Sequence, residues 1–282
     1  MRTRLPCPGI LYGTAWKKNE TERLVRLAIQ SGFRGIDTAC QPKHYDESGV
    51  GTGVMACVSA GIVRDELFLQ TKYTPNSGQD PARCPYDPES PLPEQVLQSF
   101  EVSLQNLRTD YLDCLVLHSP LPTPAQTLAV WRAFESLAEA GLVRQLGISN
   151  CYRLADLAEL YECARVKPAV VQNRFHAQTG YDREIRTFCR HRQIAYQSFW
   201  TLSANPHLLA HPTITALAST HQRTPAQILF RHLTQVGVTP LTGTRSEAHM
   251  LEDLAIFDFE LTDLEQCTVE QVLAQATAAR HS

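Results

Sequence analysis

The 282-residue sequence contains no run of about 18 apolar residues, which argues against a membrane-spanning helix. The N-terminal stretch MRTRLPCPGILYGTAW carries two arginines, but its apolar part is broken by proline and too short for a secretory signal. No Lys/Arg run stands out, and the formal net charge is −3. A chain without a basic field has little to hold nucleic acid or an anionic membrane surface, so neither is expected as a partner. The nine cysteines include no CxxC pair and no tight, even spacing. That excludes the usual zinc knuckles and disulfide frameworks, and no metal is expected. Cys114 and Cys189 lie in apolar runs and read as buried free thiols, which points to a reducing compartment and a cytoplasmic protein. No shift in composition marks a boundary, so residues 1–282 are expected to form one domain. No exposed apolar heptad demands an oligomer, and a monomer is expected.

What is present is a globular composition, 43% hydrophobic and 20% charged. Short apolar, β-branched runs alternate with longer amphipathic ones. Strands are predicted at 10–15, 34–38, 67–72, 112–118, 143–149, 169–173, 194–199 and 238–242. Helical periodicity covers 21–31, 94–107, 124–140, 153–164, 182–191, 226–235, 247–254 and 263–278. Gly32, Gly61 and Gly141 each follow a helix and precede a strand, as helix stop signals do. Alternating strands and helices demand parallel strands joined by crossover helices. Eight such units in a chain of this length favour a closed (β/α)8 TIM barrel over an open doubly wound sheet. Residues 74–93 carry six prolines (Pro75, Pro81, Pro85, Pro88, Pro91 and Pro93) and follow a strand, so a loop at the barrel mouth, a candidate lid, is expected there. Gly49, Gly51 and Gly53 have the wrong spacing for a dinucleotide fingerprint and read as a tightly packed helix start. His207 and His211 are four residues apart but have no third ligand in range.

In such barrels the reactive side chains come from the C-terminal ends of several strands. The second strand ends in Asp37, the third in Lys72 and the fourth in His118. The fifth ends in Ser149 and Asn150, and the sixth in Gln172 and Asn173. Singly, each has a structural explanation: a turn acceptor, a solvated strand end, a turn histidine, a cap for the helix starting near Tyr152. Ionisable groups ending three consecutive apolar strands are harder to explain by stability alone. Their chemistry is coherent if a tyrosine joins them, and Tyr45, in DTACQPKHYDESGVG, stands near enough. Tyr45 would be a general acid, and the Lys72 ammonium beside its oxygen would bring the phenol down towards neutrality. Asp37 would anchor the lysine, and a neutral His118 would polarise and orient a carbonyl.

These residues resemble those of the aldo-keto reductases over nearly the whole chain. The resemblance rests on YGTAW, GFRGIDTA, DESGVG, QTKY, YLDCLVLHSP, LGISN, VVQNRF, PAQILFRHLTQVGVTPLTGT and FDFELT, in that order. It implies the eight-stranded barrel, reversible reduction of small-molecule aldehydes and ketones, and NADPH as cofactor. It places an Asp–Tyr–Lys–His tetrad on Asp37, Tyr45, Lys72 and His118. Ser149, Asn150 and Gln172 match positions that hold the nicotinamide carboxamide, and Phe199 matches the ring that stacks on the nicotinamide. Trp200, Leu202 and Thr242 belong to the same cofactor surface. Trp16, or Ala15 beside it, matches a tryptophan of the substrate-pocket wall.

Three departures qualify the resemblance. The interval from Asp37 to Tyr45 is three residues longer than usual, so the loop must bulge to keep the phenol in place. At the 2′-phosphate clamp the usual Lys-Ser pair and following Arg read Gly243, Thr244 and His249. Thr244, Arg245 and Ser246 can still offer hydroxyls, a guanidinium and backbone N–H groups to a phosphate, with Glu252 and Asp253 on the adenine side. NADPH is the expected cofactor, with NADH open. Both ends of the chain are short against the family pattern, which implies an open pocket with broad specificity for small or aromatic aldehydes. The specificity loops are expected at 74–93, 121–124 and 201–212. Two other functions stay in play: a cofactor-binding regulatory subunit, and a Schiff-base aldolase using Lys72, against which the neighbouring Asp37 argues because an ion-paired ammonium is a poor nucleophile.

Overall fold

The computed structural model describes residues 6–278. Eight parallel strands close into a barrel in chain order, β1 pairing with both β2 and β8. They are β1 (Leu11–Gly13), β2 (Gly35–Asp37), β3 (Phe68–Tyr73), β4 (Cys114–Leu117), β5 (Leu146–Ser149), β6 (Val170–Arg174), β7 (Ala195–Phe199) and β8 (Val238–Thr242). All eight fall within or against the runs predicted from the sequence. Side chains alternate across each strand, so the barrel has two apolar compartments. Leu11, Phe68, Cys114, Val116 and Val170 pack inside it, while Tyr12, Leu69, Leu115, Leu117 and Val171 face the helices.

The helical layer is α1 (Thr21–Ser31), α2 (Glu47–Ser59), α3 (Leu92–Leu107), α4 (Pro124–Glu139), α5 (Leu154–Cys163), α6 (Arg183–His191), α7 (Pro206–Leu209), α8 (Pro212–His221), α9 (Pro225–Gln235), α10 (Glu247–Leu254) and α11 (Asp263–Ala278). Local chemistry sets several of these starts. Thr123 and Thr224 accept from the third backbone N–H of α4 and α9, each followed by a proline at the first helical position. Gly32 ends α1 at φ +122°, a backbone angle that side chains resist. Among the described residues no helix is long and apolar enough to cross a membrane.

Three helices lie where no periodicity announced them: α2, the short α7 and α8. α2 contains Gly49, Gly51 and Gly53, which lower its helix propensity. Their lack of side chains lets its neighbours approach: a Cβ on Gly51 would collide with the Asn106 carbonyl and the Leu107 backbone, and one on Gly53 would lie 2.8 Å from the Glu22 carbonyl. These glycines serve helix packing, as their spacing suggested. α8 begins where the sequence suggested a loop ending, and His211 caps it by accepting from the Thr213 N–H at 3.2 Å.

The proline-rich segment contains two short 3-10 turns, Asn76–Gly78 and Pro81–Arg83, and is tied down along its length. Tyr86 donates to the Thr74 carbonyl at 2.8 Å, Gln79 to the Cys40 carbonyl at 2.9 Å, and Gln95 to the Ser90 carbonyl at 2.7 Å. Tyr86 also packs its ring against Tyr73. These bonds clamp the segment to the end of β3.

Gly51→Ala should lower the unfolding free energy by roughly 1–3 kcal/mol through overpacking against α3, despite the better helix propensity of alanine. Urea denaturation checks this; an unchanged or raised midpoint would show that α2 and α3 have room to separate.

Candidate active site

The C-terminal rim of the barrel opens into a cleft of about 830 Å³. At its floor Asp37, ending β2, meets Lys72 from β3. Lys72 Nζ lies 2.7 Å from each Asp37 oxygen and 2.8 Å from the Thr38 carbonyl. These three acceptors take all three ammonium hydrogens. The pair is almost sealed, with side-chain exposures of 1% and 4%. A polar layer surrounds it inside the barrel. Asp37 Oδ1 also accepts from Gln70 Nε2 at 2.7 Å and Gln172 Nε2 at 3.0 Å. Both glutamines donate their second hydrogen to Gln197 Oε1. The sequence reading missed Gln70 and Gln197; their even spacing from Lys72 and Phe199 along inward-facing strands was the available signal.

The lengthened loop after Asp37 folds into a turn closed by Tyr45 N–H donating to the Gln41 carbonyl at 3.0 Å. Trp16 N–H donates to the His44 carbonyl at 2.8 Å, and the Trp16 and His44 rings pack at a 37° tilt with centroids 3.9 Å apart. Gln41 Nε2 reaches the Gly78 carbonyl at 2.7 Å. These ties place the Tyr45 ring 6.0 Å from the His118 ring and 5.4 Å below or beside Lys72 Nζ, which lies over its face.

The expected electrostatic relation of Lys72 to Tyr45 needs correcting. Lys72 spends its hydrogens on Asp37 and Thr38, and its ammonium lies over the Tyr45 ring, 5.4 Å from the centroid. Burial, and then the Asp37 carboxylate, push the Tyr45 phenol above its ordinary value instead of below it. His118 behaves as anticipated: burial, helped by the Lys72 charge, pushes its imidazole down to about 3. It is therefore neutral over any ordinary working range. Its Nδ1 lies 2.7 Å from the Thr74 hydroxyl.

The cofactor-side residues divide into those the structure gathers and those it does not. Ser149, Asn150, Gln172, Phe199, Trp200, Leu202, Thr242, Gly243, Thr244, His249, Glu252 and Asp253 all line the cleft, as do both Ala15 and Trp16. Gln172 has both amide hydrogens committed, which leaves its Oε1 for a ligand. Asn150 does not cap a helix. It sits at φ +53° and donates to the His118 carbonyl at 2.8 Å, while α5 starts at Leu154 without a side-chain cap. Thr242 donates to Asp253, whose carboxyl burial pushes up to about 6.

Lys72, Arg245 and Ser246 do not line the cleft. Lys72 is enclosed beneath Asp37, which closes the approach that a Schiff-base nucleophile would need. Arg245 is turned away: its guanidinium pairs with Glu20 at 2.6 Å and donates to the Trp16 carbonyl at 2.9 Å. Ser246 caps α10 by accepting from the His249 N–H.

Two basic side chains that the sequence reading passed over line the cleft, Lys17 and Arg174. Lys17 Nζ donates to the Gly243 carbonyl, and burial pushes its ammonium down to about 8. The Arg174 guanidinium lies 4.1 Å from the Trp200 ring centroid. Arg174 is two residues beyond Gln172 on β6, so the period of two was its signal. Of the expected specificity loops, 201–212 contributes Thr201, Leu202, Ser203 and Leu209, whereas 74–93 and 121–124 contribute nothing to the lining. No described residue after Asp253 lines the cleft.

Lys72→Met should destabilise the fold by roughly 3–5 kcal/mol, because it leaves the Asp37 carboxylate buried without its counter-charge. Adding Asp37→Asn, which keeps the acceptor and removes the charge, should recover more than half of that loss. Equal unfolding midpoints for the single and double variants would refute the electrostatic account.

Comparison with known proteins places this geometry in context. The model of the "Aldo/keto reductase family" matches residues 9–274. A glyoxal reductase of Bacillus subtilis is 33% identical over 245 residues, covering 86% of this chain and 80% of that protein. Among solved structures, an aldo-keto reductase from a Medee basin deep-sea metagenome library superposes with a TM-score of 0.82 at 26% identity, covering 96% and 93% of the two chains. A Bombyx mori aldo-keto reductase in complex with NADP superposes with a TM-score of 0.80 at 25% identity, covering 94% and 89%.

Proposed function

The chain belongs to the aldo/keto reductase family and is an NAD(P)H-dependent oxidoreductase, and we propose that it reduces small aldehydes and ketones with Tyr45 as general acid and NADPH as the preferred cofactor. One observation carries the reading: Tyr45, His118 and the Asp37–Lys72 pair converge from separate elements on one cleft. The match over residues 9–274 supports treating the chain as one barrel domain. Nine unpaired cysteines support a reducing compartment such as the cytoplasm.

The cleft suits a nicotinamide dinucleotide by the chemistry of its lining. Gln172 Oε1 and the Ser149 hydroxyl offer partners for a carboxamide, and Phe199 offers an aromatic face. Lys17 and Arg174 supply positive charge for phosphates. The cofactor, when bound, supplies the hydride. The protein's part is to bind and orient the carbonyl and to deliver the proton. His118, neutral, presents a ring nitrogen to the carbonyl oxygen. Tyr45 keeps its proton until negative charge develops on that oxygen, and a raised phenol is the correct resting state for such an acid. The alkoxide that forms is more basic than a phenolate, so the proton moves downhill. Lys72, over the ring face, then stabilises the phenolate left behind. The exposed rings of Trp16 and Trp200 at the rim favour small or aromatic carbonyl compounds.

Tyr45→Phe should lower kcat for aldehyde reduction by roughly 10²–10⁴-fold, with the dissociation constant of the cofactor unchanged. Loss of the nicotinamide absorbance with 4-nitrobenzaldehyde measures the first, and fluorescence titration the second. Near-normal turnover by the variant would remove Tyr45 from the reaction. Tight cofactor binding by the unaltered protein, with no oxidation across an aldehyde panel, would favour a binding-only role.

NADPH should bind about tenfold more tightly than NADH if Arg245 exchanges Glu20 for a 2′-phosphate. Glu20→Gln should widen that gap by freeing the guanidinium, and Arg245→Ala should close it. Equal affinities for the two cofactors, insensitive to both changes, would exclude Arg245 from phosphate recognition.

A further inference from the structure

Thr74 follows β3 two residues after Lys72, and only 3% of it is exposed. Its hydroxyl oxygen has one hydrogen-bond partner among the described residues, His118 Nδ1 at 2.7 Å. A hydroxyl carries one hydrogen, and a neutral imidazole carries one N–H shared between two positions. If Nδ1 held the ring proton and donated it to Thr74, the threonine's own hydrogen would be buried with no acceptor. If the threonine donates to a bare Nδ1, every hydrogen in the pair is used. Buried polar hydrogens are rarely left unused, which selects the second arrangement.

We propose that Thr74 is a positioning residue that sets the tautomer of His118, donating its hydroxyl hydrogen to Nδ1 so that the ring proton stays on Nε2 and faces the cleft. The inference deepens the reading of His118 as the group that meets the carbonyl, and it rests on that reading for its catalytic consequence. An Nε2–H points a donor at the carbonyl oxygen and gains strength as charge develops there. The opposite tautomer would point a lone pair at the same oxygen and repel it. The imidazole is held neutral by burial and by Lys72, so the choice lies between two neutral tautomers rather than between charged and neutral forms.

The surrounding bonds hold both partners in register. The Thr74 carbonyl accepts from the Tyr86 hydroxyl at 2.8 Å and from Gln79 Nε2 at 3.3 Å. The His118 N–H donates to the Tyr73 carbonyl at 2.9 Å, and its own carbonyl accepts from Asn150 at 2.8 Å. The proline-rich segment therefore acts on the site without touching the cleft. It fixes the backbone of the residue that fixes the histidine. The arrangement parallels the general rule that a histidine's working nitrogen is set by what its other nitrogen binds.

The test is long-range proton–nitrogen NMR on protein labelled at histidine nitrogens, near neutral pH, with His118→Leu to assign the signals. The unaltered protein should show Nε2 protonated and Nδ1 bare; a proton on Nδ1 would overturn the proposal whatever the activity. Thr74→Val, which keeps the shape and loses the hydroxyl, should give mixed tautomers and lower kcat by at least about tenfold, with cofactor affinity unchanged. Thr74→Ser should restore both. A valine variant with a single Nε2–H tautomer and full kcat would equally overturn it. The two readings separate cleanly: full turnover by His118→Leu would discard the histidine's role in the reaction, while the tautomer seen in the unaltered protein would still decide the Thr74 assignment.

Discussion

Asp37 and Lys72 are opposite charges placed inside a barrel, where water is nearly absent. Two charges in that setting are costly unless each is met by its counter-charge and by hydrogen bonds. Here each is met fully. The ammonium has three acceptors, and one carboxylate oxygen alone draws donors from β3 twice and from β6. Gln197 closes the layer from β7. The pair thus ties four strands across the interior at the height where the apolar core ends. Everything above it, the Tyr45 ring, the His118 ring and the Gln172 oxygen, is positioned by side chains whose own bonds are already spent. Such pairs are poor stabilisers but good positioners, and the geometry here is of the positioning kind.

The cleft holds two of its ionisable groups in their uncharged forms. The Tyr45 phenol is pushed up and the His118 imidazole is pushed down. Burial does most of this in both cases, and it acts in opposite directions because it always disfavours the charged form. The lysine contributes less to the resting acidity of the tyrosine than its sequence neighbourhood implied. Its ammonium lies over the ring face, 5.4 Å from the centroid.

The proline-rich segment shows how a loop serves a site from outside it. Its tyrosine and glutamine are bonded to the backbone at the end of β3 and after β2, so the strand ends carrying Lys72 and Asp37 are held from behind. The long loop after Asp37 is held similarly, by Trp16 from β1 and by Gln41 reaching Gly78. The rim is thus a set of loops bonded to one another, with the rings of Trp16 and Trp200 at its exposed edge.

The barrel was legible in the sequence because its cause is periodic. Apolar pairs at a spacing of two and stripes at 3.6 mark which faces must leave water, and eight alternations leave few ways to arrange them. Asp37, Lys72 and His118 were legible because charged groups end apolar strands, a conflict that only a site resolves. What the sequence hid has a physical reason in each case. α2 was obscured by glycines that allow close approach to other helices, Gly51 to α3 and Gly53 to α1, partners distant in the chain. Arg245 reads as a free phosphate ligand until Glu20 is found beside it. Lys72 reads as the group that lowers the phenol until Asp37 and Thr38 are seen to take its hydrogens and burial to push the phenol up. Residue type and period determined the fold and the candidate tetrad. Which hydrogen each polar atom gives, and to whom, was decided only by tertiary structure, because those partners are distant in the chain and meet only when the barrel closes.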